Sequence, residues 1–543
     1  MTTTRDLPIT PRAAATPPSS PSSRPAPRVA RRASVLGAHR EAAAQYERAL
    51  RFPPDDSRTL AELYDAVADE AGLLDDWARA AQAHERAIEL WHELGDGRRE
   101  GLAHGRLREV YWNLARGEDA TASLARALEL LEPHGPDPAL ARLLATRAVR
   151  VWSDDPASGR TMMDRALAMV ASLDDAAARS DVLDTASYAA RLGGEDWRPR
   201  MHEAVRLAVA AGAHAAAGRA YYNLLELCVT EFAYAESEQY WRDGIAYCED
   251  NEMATWVRCL SGLRAVDLLD QGRWDEAISL TARVFAVQPG PVALLVSRVA
   301  SGLVLTRRGH SGGSERLSAA VETAESIGEA GWIALTRRAY AEDRWLAGDD
   351  EVARRQIDRV RAVLTRSDAH EDAPTAVWER RLYGTSRAEF PAAEPWATWL
   401  AGPVEDTVAR WDGLGCPYHA ALALYDDGGQ EQLREAITRF EALGAEAAAR
   451  RTRQRMKDLG HRAVPLGARR STRAHPLGLT RREHDVLLLI CEGLGNDDIA
   501  TKLLLSVRTV DHHVSAVLRK LGVASRGAAA AEARRQDLAP AET

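Results

Sequence analysis

Lysine is almost missing from this chain. Of 70 basic residues among 543, only Lys457, Lys502 and Lys520 are lysines. A nucleotide-phosphate loop needs Gly-x4-Gly-Lys-[Ser/Thr], so that backbone amides and the lysine ammonium reach the phosphates. The three lysines follow Met456, Thr501 and Arg519, and no such loop can form. Cysteine is scarce as well: Cys228, Cys248, Cys259, Cys416 and Cys491 make an odd set without a C-x-x-C pair. That excludes a disulfide framework and a zinc ribbon. A run of about 18 apolar residues, the minimum for a membrane helix, does not occur. Residues 1–34, rich in Pro, Ser, Thr, Ala and Arg, lack the apolar core of a signal peptide and predict a disordered basic leader. A cytoplasmic chain follows. The alternating strand and helix pattern of a phospho-receiver domain is absent too. No catalytic constellation is found. His512 and His513 are adjacent, hence about 100° apart on a helix, and no carboxylate–histidine set completes a metal site around them. Asp154-Asp155 and Asp349-Asp350 fall between helices, where they cap. No catalytic residue, metal or cofactor is predicted.

What the chain does have is alanine, arginine and an uneven charge. The net charge is −9. From Arg451 to Arg535 there are 17 Arg or Lys against 8 Asp or Glu, so this stretch carries about +9 and the remainder about −18. An acidic body with a basic tail fits a nucleic-acid contact confined to one end.

The body, residues 35–366, repeats. Tyr46–Leu50 (YERAL), His84–Ile88 (HERAI), Leu124–Leu128 (LARAL), Met163–Leu167 (MDRAL) and Met201–Val205 (MHEAV) share a small fourth residue. The series runs Ala49, Ala87, Ala127, Ala166, Ala204, Gly244, Ala282 and Ala320, in steps of 38 to 40 residues. One small residue per such period, letting two helices approach closely, is the signature of tetratricopeptide-like helical hairpins. An all-α solenoid is therefore expected, with Asp76-Trp77, Asp196-Trp197 and Arg273-Trp274-Asp275 in its turns. Solenoids bind ligands or partners on concave surfaces. The dense cluster Tyr221, Tyr222, Tyr240, Trp241 and Tyr247 is the candidate groove, with core packing between repeats as its competing explanation. Residues 367–459 predict an irregular break, marked by Pro374 and Pro391, and then final helical hairpins; Cys416 sits there in a turn before proline. Residues 460–476 form a Pro/Gly/Arg linker whose arginines can touch phosphates.

Residues 477–539 are patterned most sharply. Thr480 and Glu483 make a capping box before the apolar run Val486, Leu487, Leu489 and Ile490. Gly493 and Gly495 stop that helix. Asn496 is placed to cap a short second helix with Ile499, Ala500 and Leu503 inward. Ser506 is placed to cap a third, with Val510, Val514, Val517, Leu518 and Leu521 inward, and Ser525 a fourth. Two short helices joined by a tight turn, the second basic, form a helix-turn-helix. The outward residues of its third helix are hydrogen-bonding groups. Asp511, His512 and Ser515 are assigned to bases; Arg508, Thr509, Arg519 and Lys520, with the cap Ser506, to phosphates and flanking positions.

This stretch resembles the LuxR-type DNA-binding domain. The matching residues are Leu479-Thr480-x-Arg482-Glu483, Val486-Leu487, Gly493, Asn496-x-x-Ile499-Ala500, Ser506-x-x-Thr509-Val510-x-x-His513-Val514, Lys520-Leu521-Gly522-Val523 and Arg526. Thr-Val is usually followed by lysine in response-regulator members; here Asp511 follows, and it either accepts from a cytosine amino group or sits out. The helical body and the Trp411–Leu424 junction resemble the C-terminal part of the large ATP-binding LuxR-type regulators of actinobacteria, without their ATPase module. The resemblance implies a four-helix domain that binds double-stranded DNA, a homodimer formed through that domain, and a solenoid that meets an effector or a protein partner. The whole would be a transcriptional regulator. The alternative is a helical-repeat interaction scaffold with incidental nucleic-acid binding.

Overall fold

The computed structural model describes residues 26–152, 154–287, 290–365, 369–389, 392–461, 464–465, 479, 481–503 and 505–535. Among them every regular element is helical, and no helix is long and apolar enough to cross a membrane. The chain divides into two compact units, Met1–Met456 and Lys457–Thr543.

The first unit is a stack of antiparallel helical hairpins. The small residues of the repeat all fall on the second helix of a pair: His39–Leu50, Trp77–Glu93, Gly117–Leu131, Pro156–Ala171, Arg198–Ala210, Tyr234–Asp250, Trp274–Phe285 and Gly313–Ile327. Ala87, Ala127, Ala166, Ala204 and Ala320 have no exposed surface, as close helix approach requires. Ala282 departs from the series. It is exposed, and Thr281 is turned inward instead. The turn tryptophans open second helices and are buried: Trp77, Trp197 and Trp274 are 9, 2 and 1 % exposed. Asp76 caps the helix after it, accepting from the Arg79 amide.

Two expectations need correction. The leader does not extend to residue 34, because Ala26–Val35 is a helix that turns Ala30 onto Ala42 and Tyr46. Nor is the Pro374 region a simple break. Ala369–Tyr383 is a helix with Pro374 inside it, tied down by ion pairs of Arg338 with Glu371 and of Arg361 with Asp372 and Glu379. Pro391 lies outside the described residues. Cys416 is fully buried, 3.1 Å from the Tyr234 hydroxyl, and burial pushes its thiol up to about 12. A thiol so far from ionisation packs rather than reacts.

Distant hairpins of this unit meet. Asp75, in a left-handed turn (φ 69°), pairs with Arg258 at 2.7 Å and accepts from the Gly290 amide at 3.3 Å. Trp112 Nε1 donates to Glu329 Oε1 at 3.0 Å. Gly117 abuts the Ile327 carbonyl so tightly that a Cβ there would lie 2.0 Å from the oxygen. The last hairpins fold back onto the stack: Tyr418 donates to Glu342 at 2.8 Å beneath the Arg307 guanidinium, 3.8 Å from the ring centre. The solenoid thus wraps around a partly open internal space.

Candidate nucleic-acid interface

The second unit contains the helices Arg481–Cys491, Asn496–Leu503, Val507–Leu521 and Arg526–Arg535. Their apolar stripes converge. Val486, Leu489, Ile490, Ile499, Ala500, Val510 and Val514 form one cluster, with Ala530 closing it. Leu479, Leu487, Val517, Ala529 and Ala533 form a second. Gly493 (φ 82°) ends the first helix and Gly522 (φ 65°) the third, both in the left-handed conformation that costs glycine least. Ser506 Oγ accepts from the Thr509 amide at 3.1 Å and holds the Thr509 hydroxyl at 2.7 Å, fixing the start of the third helix. Ser525 Oγ accepts from the Ala528 amide at 3.2 Å.

With Val510, Val514 and Val517 packed inward, helical geometry turns Arg508, Asp511, His512, Ser515 and Arg519 outward, and all five are exposed. Among the described residues, the side chains of Arg508, His512, Ser515 and Arg519 have no hydrogen-bond or ion-pair partner. A row of unpaired donors along one helix face is what base edges and phosphates engage.

Three sequence assignments change. Lys520 is not a free phosphate cation: its Nζ pairs with the buried Glu483 carboxylate at 2.6 Å. Asn496 does not cap its helix with its side chain. It accepts from Arg526 Nη1 at 2.5 Å and donates to Asp511, while Asp498 reaches back to the Gly495 amide at 3.3 Å. Asp511, although exposed, is therefore occupied by the Asn496 amide. The Thr480 half of the capping box lies outside the described residues. Sequence reasoning missed the clasp role of Arg526, which also donates to the Leu494 carbonyl at 2.5 Å and so joins both ends of the helix-turn-helix. Its only signal was that Asn496 and Arg526 belong to the same spaced motif.

The five solenoid aromatics do not form one site. Tyr221 and Tyr247 meet at a tilt, centroids 6.0 Å apart, with the Tyr247 hydroxyl 3.1 Å from His214. The Tyr240 hydroxyl meets His202 at 2.8 Å, and Trp241 lies under Arg264. Of the five, Tyr222 alone lines the internal space, because neighbours on a helix diverge by about 100°. That space is a cavity of about 570 Å³, walled by Trp112, Tyr188, Tyr222, Trp332, Trp396 and Trp399. A smaller one of about 240 Å³ adjoins it across Trp112, Tyr222 and Glu329.

Residues 477–533 match the family described as bacterial regulatory proteins, luxR family. Over 58 residues the chain is 50 % identical to the HTH-type transcriptional regulator Mb0914c of Mycobacterium bovis, covering 11 % of this chain and 7 % of that protein. Over 60 residues it is 42 % identical to the transcriptional regulatory protein LiaR of Bacillus subtilis, covering 11 % and 28 %. The likeness thus spans less than a third of either relative's length. The second unit is a LuxR-type helix-turn-helix domain. Among solved structures, the human IFIT1 dimer with PPP-AAAA is similar at 12 % identity and a TM-score of 0.36, over 82 % of this chain and 96 % of that one. Yeast Tom70 is similar at 11 % identity and a TM-score of 0.26, over 82 % and 97 %.

Proposed function

We propose that this chain is a sequence-specific DNA-binding transcriptional regulator of the cytoplasm, acting as a homodimer. The helix Val507–Leu521 enters the major groove, and the helical-repeat body senses a ligand or docks a protein partner. The observation that carries this is the outward face of that helix: Arg508, His512, Ser515 and Arg519 are exposed and unpartnered among the described residues, on a helix fixed by its Ser506 cap and three buried valines. Ser515 and His512 are assigned to base edges; Arg508 and Arg519 to phosphates or guanine. Asp511 positions the helix start through Asn496 and Arg526. Footprinting the full chain on genomic fragments tests the reading. A protected, repeated sequence with two-fold related halves supports it. Binding that vanishes at physiological salt without a preferred site would favour the scaffold alternative instead.

A further inference from the structure

The larger of these two cavities has a charge pattern of its own. Each lining arginine already holds a carboxylate. Arg307 grips Glu342 at 2.7 and 3.0 Å, Arg338 pairs with Glu371, and Arg381 meets Asp426 twice at 2.9 Å. His419 is stacked on Trp411, centroids 4.5 Å apart, and burial together with Arg307 and Arg381 pushes it down to about 3, so it is neutral. Three lining carboxyl groups are left with neutral donors only. Glu226 accepts from the Tyr188 hydroxyl, Glu329 from Trp112 Nε1 at 3.0 Å, and Asp270 from the Tyr234 hydroxyl at 3.4 Å. Burial raises the Glu226 carboxyl above its ordinary range and lifts Asp270 to about 7. Arg307 already faces Asp270, and Arg191 and Arg108 lie within electrostatic reach of Glu226 and Glu329. Glu226 and Glu329 nevertheless have no hydrogen-bonded cation among the described residues; a desolvated carboxylate in that position is costly to keep, and a positive ligand offsets that cost. The walls suit the same ligand, because indole and phenol faces attract cations. A volume of about 570 Å³ holds a drug-sized molecule.

We infer that this cavity binds an organic cation: an amine or quaternary ammonium on an aromatic body, its charge toward Glu226 and Glu329 and its rings against Trp112, Tyr188 and Tyr222. Arg307 keeps one buried nitrogen, Nη1, without an acceptor among the described residues; its charge is already met by Glu342, so it offers a place for one neutral oxygen of the ligand. The proposal rests on the reading of the helical body as a sensor and names what that body senses.

The test titrates the full chain with three probes sharing a three-ring body: 10-methylacridinium, 9-methylanthracene and anthracene-9-carboxylate. The cation binds at least about tenfold tighter than the other two. Glu226→Gln and Glu329→Gln each weaken the cation about tenfold and leave 9-methylanthracene unchanged. Glutamine still accepts from Tyr188 and Trp112, so the neutral probe doubles as a check on folding. Equal binding of the three probes, preference for the carboxylate, no binding of the cation, or variants that weaken all probes alike would each overturn the assignment. A second arm measures DNA affinity with the cation saturating. Changed affinity supports a ligand-sensing body. Tight cation binding with unchanged DNA affinity leaves the site standing and removes the sensor role.

Discussion

Arg519 and Lys520 are adjacent, both basic and both at the end of the same helix, yet their replacement by alanine should have different consequences. Arg519 is exposed and unpartnered among the described residues, whereas Lys520 pairs with Glu483, whose side chain is 9 % exposed. If Arg519 neutralises one phosphate, Arg519→Ala shallows the slope of log affinity against log salt by about 0.9. Between 50 and 200 mM salt, wild-type affinity then falls about 3.5-fold further than that of the variant. Lys520→Ala leaves the slope unchanged. It removes a cation from a buried carboxylate, and since the lysine side chain is 28 % exposed the cost is reduced to about 1–2 kcal/mol. For a domain of this size that is a fall in Tm of roughly 5–15 °C. Fluorescence anisotropy on a duplex of arbitrary sequence across the salt series, with a thermal melt of each variant, reads both effects. Equal loss of slope in the two variants, with no loss of stability in Lys520→Ala, would show that the Glu483 pair does not exist in solution.

Asn496→Ala unlatches Asp511 and Arg526 and lowers domain stability by about 1–2 kcal/mol, seen by urea titration; an unchanged midpoint would refute the clasp. Gly117→Ala drives a methyl into the Ile327 carbonyl and destabilises the body by about 1–3 kcal/mol, whereas Gly97→Ala, whose nearest neighbour is Leu130 Cδ2 at 3.8 Å, is neutral or slightly stabilising. Matching melting curves for the two alanine variants would mean that these hairpins do not meet. Asp270, lifted by burial to about 7 when folded against about 4 when unfolded, costs the folded state stability as pH rises through that window. Asp270→Asn therefore raises Tm at pH 8 and leaves it nearly unchanged at pH 4; an equal gain at both would point to a packing effect.

The parts of this molecule legible in its sequence are those set by near neighbours along the chain. Ala87, Ala127 and Ala166 recur because each hairpin packs on the next with the same spacing, and the outward row Arg508–His512–Ser515–Arg519 follows from helical period once Ser506 fixes the start. Ala282 was misplaced by a single-residue slip, since either Thr281 or Ala282 satisfies the pattern and only packing selects one. Ala26–Val35 was hidden by a leader-like composition, although Ala30 and Ala33 already share a face. Lys520 with Glu483 and Asn496 with Asp511 and Arg526 depend on partners 15 to 37 residues away, where nothing in the spacing specifies the match. The cavity is a further step removed. A repeat dictates the contact between successive hairpins, but small rotations accumulated over several of them bring Trp112 to Glu329 and Asp75 to Arg258. Glu226, Asp270 and Glu329 stand in separate hairpins and read as ordinary surface carboxylates until the stack closes; only then do they share one aromatic-walled space, with no arginine among the described residues hydrogen-bonded to them.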